Sequence, residues 1–188
     1  IYQTDNDSTI TGKSKFTSSG GTLTNSNGDI FFVTNTAADI TLENTDIINE
    51  DTSGKFLRAE ESIWGTSGNN GGKINLNANN QLIQGDIIVD GSSILNFYMT
   101  SDSAFSGALN RNNSEGKIYV EISSGSKWVL TGNSYITSLT CQTDSVNLNG
   151  YTLYVNGIPY VSGTSSSGNA IDFDSSGDSG LIEEEGKE

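Results

Sequence analysis

Short apolar runs separated by turn-forming residues recur along this chain, and they constrain its fold more than any other feature. Within each run apolar and polar side chains alternate, as in Lys117–Ile122 and in residues 29–34. Gly, Asn, Ser and Asp separate the runs, a pattern typical of short β-strands joined by turns. Because no stretch combines a helical period with helix caps, the sequence predicts an all-β protein.

The runs recur with a regular period. They begin near Ile74, Leu95 and Ile118, and again between residues 136 and 146, at intervals of about 20 to 25 residues. Intermediate runs fall at Ile87, Phe105 and Trp128. A period of this length, built from two or three short strands, predicts a parallel β-solenoid whose stacked coils share one continuous core.

The composition agrees with a solenoid. Hydrophobic residues make up only 33% of the chain, and 22 residues are glycine. In a solenoid, Gly, Asn and Asp supply the left-handed backbone conformation that corners require. An antiparallel β-sandwich stays open as the alternative fold, because the Asn-Gly pairs at 27–28, 149–150 and 156–157 are typical of tight hairpin turns.

Two segments break the period. Residues 60–72 are too rich in glycine for a strand and too long for a corner, so we expect a protruding loop there. From residue 162 the apolar pattern fades into a Ser- and Gly-rich stretch that ends in acidic residues. We therefore predict a β-helix domain over residues 1–161 and a flexible acidic tail or linker over residues 162–188.

Charge and missing residue types exclude several classes of function. A formal net charge of -14 opposes binding to nucleic acid, whose phosphates need a basic face. The chain has no histidine, which excludes His-based catalytic triads and His zinc sites. No segment approaches the about 20 apolar residues of a membrane span. The chain begins at Ile1 without a methionine, so we expect a processed protein or an excised fragment.

Four segments resemble those of bacterial pectate-lyase-like surface proteins. They are GDIFFVTN at 28–35, GNNGG at 68–72, KWVLTGNSY at 127–135 and LNGYTLYV at 148–155. The resemblance implies a right-handed parallel β-helix of roughly six coils, secretion or display on the cell surface, and an adhesin-like or carbohydrate-binding role without catalysis. A related group of similar fold binds calcium and acidic polysaccharide, but none of its metal ligands is matched to a position in this chain.

Aromatic residues are concentrated in the second half of the chain, at Tyr98, Tyr119, Trp128, Tyr135, Tyr151 and Tyr154. Exposed planar rings stack on the apolar faces of sugars, and their polar tips bond to sugar hydroxyls. Alternation with apolar neighbours predicts that Tyr119 and Trp128 point outward. Trp64 lies on the expected loop. Trp64, Tyr119 and Trp128 are therefore the predicted carbohydrate-binding residues, with packing in the core or over the sheet as the alternative.

The tail contains a candidate calcium site. Asp172, Asp174, Ser176 and Glu183 occupy positions 1, 3, 5 and 12 of the EF-hand loop pattern, with Gly177 at position 6. Position 8 is a serine where the pattern has an apolar residue, and no helix is evident on either side. Calcium is the one cofactor that the sequence suggests, and a disordered acidic tail is the alternative.

These features predict a secreted or cell-surface domain that binds polysaccharide, or a glycan of a host or cell surface, through one long face. Many weak contacts would add through effective concentration, with Ca²⁺ assisting if the polymer is acidic. A structural stalk and a protein-binding adhesin domain are the first alternatives, and a polysaccharide lyase is the second. No acidic cluster repeats on successive coils in the sequence, which favours a protein that is not an enzyme.

Overall fold

The computed structural model describes Ile1 and residues 13–173, and over these residues the chain forms strands and no helix. Six parallel coils stack into a β-solenoid, which confirms the predicted fold. By coil, the strands are β1 (Lys13–Ser19), β2 (Thr22–Asn25), β3 (Phe31–Val33); β4 (Thr36–Glu43), β5 (Asp46–Asn49), β6 (Leu57–Ala59); β7 (Gly72–Asn79), β8 (Leu82–Gln84), β9 (Ile87–Val89); β10 (Ile94–Thr100), β11 (Ala104–Ser106); β12 (Lys117–Ile122), β13 (Lys127–Val129), β14 (Ser134–Ile136); and β15 (Ser138–Cys141), β16 (Val146–Asn147), β17 (Leu153–Val155). The final strand, β18 (Ile158–Pro159), follows the sixth coil.

Each coil has three sides, so the solenoid has three faces. The first face is one six-stranded sheet in the order β1-β4-β7-β10-β12-β15. The second face consists of β2-β5 and β8-β11-β13-β16, and the third face consists of β3-β6-β9 and β14-β17-β18. Among these strand pairs only β17–β18 is antiparallel, so the chain is not an antiparallel sandwich.

The second coil carries the predicted loop. On the first face, residues that pair across neighbouring coils are between 19 and 24 positions apart in the sequence. Between the second and third coils the separation is 36 positions. The additional residues are 60–71, which form no strand. Asn70 holds this loop, because its Nδ2 donates to the backbone oxygens of Ser62 (2.7 Å) and Trp64 (2.6 Å).

The core is a set of apolar ladders that run along the solenoid axis. The central ladder of the first face is Ile40, Leu76, Phe97, Val120 and Leu139, all of them buried. Burial of each such side chain contributes about 1.5–3 kcal/mol. One coil cannot bury its own apolar side, so the stack supplies the stability that a single coil lacks.

Asparagines occupy the corners, as predicted. Ten described residues other than glycine have a positive φ, and seven of these are asparagine. Asn44 and Asn80 take this conformation at the same corner of consecutive coils. Beside them runs a buried polar ladder, in which the amide of Thr45 donates to Gln81 Oε1 (2.9 Å) and the amide of Gln81 donates to Ser103 Oγ (3.1 Å).

The chain does not leave the solenoid after residue 161. Asn156 and Gly157 form the turn of the β17–β18 hairpin, the conformation that an Asn-Gly pair favours. Residues 166–173, here called the strap, then cross the outside of the first face. The predicted tail or linker begins at residue 162, so the strap belongs to it, and contacts from Ser166 to Phe173 hold this part to the solenoid. Residues 174–188 lie outside the described part.

Candidate functional site

Two tyrosines on neighbouring coils stack on the outside of the third face. Tyr135 and Tyr154 are the central residues of β14 and β17, and the parallel register pairs them directly. Their neighbours Ser134 and Leu153 are buried, so the two rings point outward. The ring centroids are 4.8 Å apart and the planes differ by 4°. The antiparallel register of the hairpin places Pro159 beside Tyr154, which extends the row to three residues.

The stacking geometry leaves part of each ring accessible. Stacked carbon atoms meet at about 3.5 Å, so a centroid separation of 4.8 Å means that the rings of this tyrosine pair overlap with a sideways offset. Both side chains are half-buried, and neither hydroxyl has a hydrogen-bond partner among the described residues. Such a surface can stack on the apolar face of a sugar ring and hydrogen-bond to its hydroxyls.

A charged pair lies at the turn that precedes β14, the strand of Tyr135. Arg111 donates from Nε and Nη2 to the carboxylate of Asp86 (2.9 and 3.0 Å) and from Nη1 to the backbone oxygen of Thr131 (2.9 Å). The hydrogen bond with Asp86 raises the pKa of Arg111, and the nearby Tyr151, with 42% of its surface exposed, adds to this increase. Burial acts to raise the pKa of Asp86, but hydrogen bonds from Arg111 and from the amide of Ala108 lower it overall. Both groups therefore stay charged at neutral pH.

Trp64 lies on the loop of residues 60–71, as predicted, and 38% of its surface is exposed. Its neighbour Ile63 is 88% exposed. This loop joins the second and third coils, whereas the tyrosine pair belongs to the fifth and sixth. At about 4.8 Å per coil, Trp64 is about 10 Å or more from the tyrosine pair along the solenoid axis, so it is not part of the same surface.

Tyr119 points out of the first face, as predicted, but it is covered. Only 3% of its surface is exposed, and its ring packs edge-on against Tyr98 with centroids 5.9 Å apart. The hydroxyl donates to Glu121 Oε2 (2.8 Å) and lies 3.1 Å from Oγ1 of Thr140. Burial raises the pKa of Tyr119. The ring is therefore not available for stacking on a ligand in this conformation.

The prediction that Trp128 points outward is wrong. Trp128 is fully buried, stacks on Phe105 and donates from Nε1 to the backbone oxygen of Gly107 (3.0 Å). In the three-residue strand β13 it is Val129, the next residue, that faces outward and is half-buried. Since Trp128 and Val129 are both apolar, the alternation did not reveal which side chain lies inside.

The predicted calcium ligands Asp174, Ser176 and Glu183 lie outside the described residues, and Asp172 is exposed. The calcium site in the tail therefore stays a prediction. Within the described residues no group of three or more Asp, Glu or Cys side chains is arranged to hold a metal ion. The same part of the chain has no helix that is long and apolar enough to span a membrane.

Comparison with protein-family models, with curated proteins and with solved structures found no match to this chain. The resemblance to pectate-lyase-like surface proteins therefore stays a prediction, although the parallel β-solenoid that it implied is confirmed.

The sequence analysis named both Tyr135 and Tyr154 but did not predict that their rings stack. The signal that could have found the pair is spacing. Tyr135 and Tyr154 are 19 positions apart, as are Asn133 and Thr152, which form a hydrogen bond between the same two coils. Residues separated by one coil length occupy the same lateral position on neighbouring coils, so outward aromatic side chains at this spacing are close enough to stack.

Proposed function

We propose that this protein is a non-catalytic polysaccharide-binding domain of a secreted or cell-surface protein, and that the tyrosine pair is its contact surface. The observation that supports this proposal is the parallel, outward-facing stack of Tyr135 and Tyr154, extended by Pro159. A flat sugar chain that lies along the solenoid axis contacts all three residues. Weak contacts to successive sugars then add through effective concentration.

The state of the two arginines argues against either of them as the base of a lyase. A lyase needs an Arg or Lys base that gives up its proton. Arg58 and Arg111 each pair with a carboxylate, at 2.7 Å from Asp29 and 2.9 Å from Asp86, and these contacts raise the pKa of both arginines. The chain also has no histidine to act as a base. If the polymer is acidic, its repulsion by a net charge of -14 makes Ca²⁺ the expected bridging ion.

Affinity electrophoresis against a panel of soluble polysaccharides, with Ca²⁺ and then with a chelator, tests the proposal. We expect at least one polymer to retard the protein and the double variant Tyr135→Ala/Tyr154→Ala to lose this retardation. Aromatic contacts contribute about 1 kcal/mol each, so affinity falls about tenfold to thirtyfold. Phe32→Ala is the matched control, because Phe32 is an exposed aromatic residue at the opposite end of the third face.

The outcomes separate the alternatives. Retardation that is unchanged in the double variant contradicts the proposed contact surface. Retardation that disappears with the chelator assigns the binding of an acidic polymer to a bridging Ca²⁺ ion. No retardation by any polymer contradicts the proposed function and favours a stalk or a protein-binding adhesin, whereas unsaturated products that absorb in the ultraviolet establish a lyase.

A further inference from the structure

The strap is held to the first face as an extended peptide. It begins where Ser166 and Cys141 pair as an antiparallel bridge, with N···O distances of 3.1 and 3.2 Å in the two directions. The amide of Gly168 then donates to Thr140 Oγ1 (3.0 Å), and that hydroxyl donates to the backbone oxygen of Gly168 (3.1 Å). The amide of Asn169 donates to an outward side chain of β15, Ser138 Oγ (3.2 Å). These contacts recognise main-chain groups.

Asn96, on β10, recognises the strap in the same way. Its Nδ2 donates to the backbone oxygen of Ile171 (2.9 Å), and its Oδ1 accepts from the amide of Ile171 (2.9 Å). Only 3% of Asn96 is exposed. Its amide group also donates to Asn75 Oδ1 (3.2 Å), and Asn75 donates to Asp39 Oδ1 (2.9 Å). Because this row of polar side chains fixes its orientation, Asn96 is preorganised to bind a peptide backbone.

Two features make the contact specific for the sequence of the strap. A side chain at position 168 would crowd the sheet, because a Cβ there would lie 3.1 Å from the backbone oxygen of Leu139 and closer still to Ser138. At the other end Phe173 is only 7% exposed, and Nζ of Lys13 lies 5.1 Å from the centre of its ring. A fitting ligand therefore has a glycine followed five positions later by an aromatic anchor.

We propose that the outer side of the first face is a peptide-binding groove, and that the strap of a second copy of this chain occupies it when the molecule's own strap is displaced. The second copy is the favoured occupant because it carries the glycine and the phenylalanine at the required spacing. Two copies that exchange straps satisfy each groove reciprocally, which gives a closed dimer. At low protein concentration each groove binds the strap of its own chain, because the effective concentration of an attached strap exceeds that of a strap from another copy.

Binding of a fluorescent synthetic peptide of residues 165–173 to the full chain tests this proposal. Gly168→Val displaces the chain's own strap and leaves the groove intact, so we expect this variant to bind the peptide at least about tenfold more tightly than the wild type. Ser167→Val is the matched control, because Ser167 is exposed, and it should behave as the wild type does. Anisotropy of the label measures the binding.

Further measurements test whether the peptide binds at Asn96 and whether a second copy of the chain supplies the strap. Removing the bidentate amide with Asn96→Ala in the Gly168→Val chain should abolish peptide binding. A peptide that itself carries Gly168→Val should bind no variant, which keeps the proposal testable if the Asn96 variant does not fold. Differently labelled wild-type copies, mixed at high concentration, should show energy transfer that is lost in the Gly168→Val chain.

Three outcomes would overturn the proposal: no binding of the peptide to the Gly168→Val chain, equal binding of the two peptides, or no energy transfer between concentrated wild-type copies. A Gly168→Val chain that ignores the peptide but gains retardation by polysaccharide would instead identify the strap as the cover of a glycan surface. That surface is on a different face from the tyrosine pair, so the two proposals fail independently.

Discussion

Trp128 contributes to the core through both its ring and its indole nitrogen. The ring is fully buried against Phe105, and Nε1 satisfies the backbone oxygen of Gly107. Trp128→Ala leaves a cavity and an unpaired carbonyl, so we expect it to lower the free energy of unfolding by about 3–5 kcal/mol in urea. Ile63→Ala, on the loop of residues 60–71 and 88% exposed, should change it by no more than about 0.5 kcal/mol. Similar losses in both variants would contradict these placements.

Asp51 links stability to pH at one corner. Its carboxylate accepts hydrogen bonds from the hydroxyl and amide of Ser53 (2.6 and 2.9 Å) and from the amide of Gly28 (2.8 Å). These bonds, the hydroxyl of Ser53 above all, lower its pKa from 3.8 to about 2. A group whose pKa is lower in the folded state than in the unfolded state stabilises the fold fully at a pH above its unfolded-state pKa. This stabilisation is lost as the pH falls through the folded-state pKa.

Asp51→Asn should therefore lower the urea midpoint at pH 6 and have little effect near pH 2. Unfolding curves of the wild type and the variant across this range measure the difference. Asp46→Asn is the control, since Asp46 is an exposed aspartate on the second face. A difference between wild type and Asp51→Asn that stays constant down to pH 2 would contradict the assigned role.

At the scale of the strands, the sequence period predicts the first face well. Ile74, Leu95 and Ile118, the predicted starts of successive coils, are paired in register. The reason is physical, because every coil must place an apolar residue at the same inward position. The period does not show which intermediate run belongs to the second face and which to the third. Ile87, Phe105 and Trp128 have the same place in the period, but Ile87 pairs with Leu109 on the third face. In a strand of only three residues the sequence pattern does not show which side chains point inward, which is why Trp128 was wrongly predicted to point outward.

Coil packing predicts different effects for two glycines that precede strands of the first face. A Cβ on Gly116 would lie 2.6 Å from the carbonyl carbon of Val89 and 2.7 Å from the backbone oxygen of Asp90. A Cβ on Gly91 would meet Glu115 at an ordinary 3.5 Å. Gly116→Ala should therefore cost about 1–3 kcal/mol, and Gly91→Ala should stay within about 0.5 kcal/mol of the wild type.

Thermal and urea unfolding of the two variants measure this difference. Both substitutions add the same methyl group, so the comparison isolates the closeness of the neighbouring coil. A Gly116→Ala protein as stable as Gly91→Ala would show that the coils are less tightly stacked at this corner than the structure has them.

For the whole molecule, the strap changes how a solenoid holds together. Coils of a solenoid contact only their neighbours, so unfolding can spread from either end. The strap adds a contact between Asn96 and Ile171, 75 positions apart, and reaches Lys13 on the first coil. We expect Gly168→Val to lower the urea midpoint and to broaden the transition relative to Ser167→Val. A transition that shifts without broadening would show that the strap adds stability and not cooperativity.

The strap also marks the limit of what the sequence could predict. Repeats and turns predict the coils, because each coil obeys the same packing rule. The strap belongs to no repeat. Apart from Gly168 and Phe173, its contacts are hydrogen bonds to its own main chain, which leave no pattern in its composition. Tyr119 was correctly predicted to face outward, but its low exposure was not, because that depends on the neighbouring side chains Tyr98 and Thr140 of adjacent coils. The tyrosine pair was foreseen as separate aromatic residues, and its stacking needed the register of the last two coils.

Hydrogen exchange of the protein, with and without a polysaccharide that retards it, tests the central claim most directly. Binding at the tyrosine pair predicts slower exchange in β14 and in β17–β18, with no change in residues 60–71 or in the strap. Protection confined to residues 60–71 or to the first face would contradict the claim that the tyrosine pair is the contact surface. Absence of protection anywhere at saturating polymer would contradict polysaccharide binding by this solenoid.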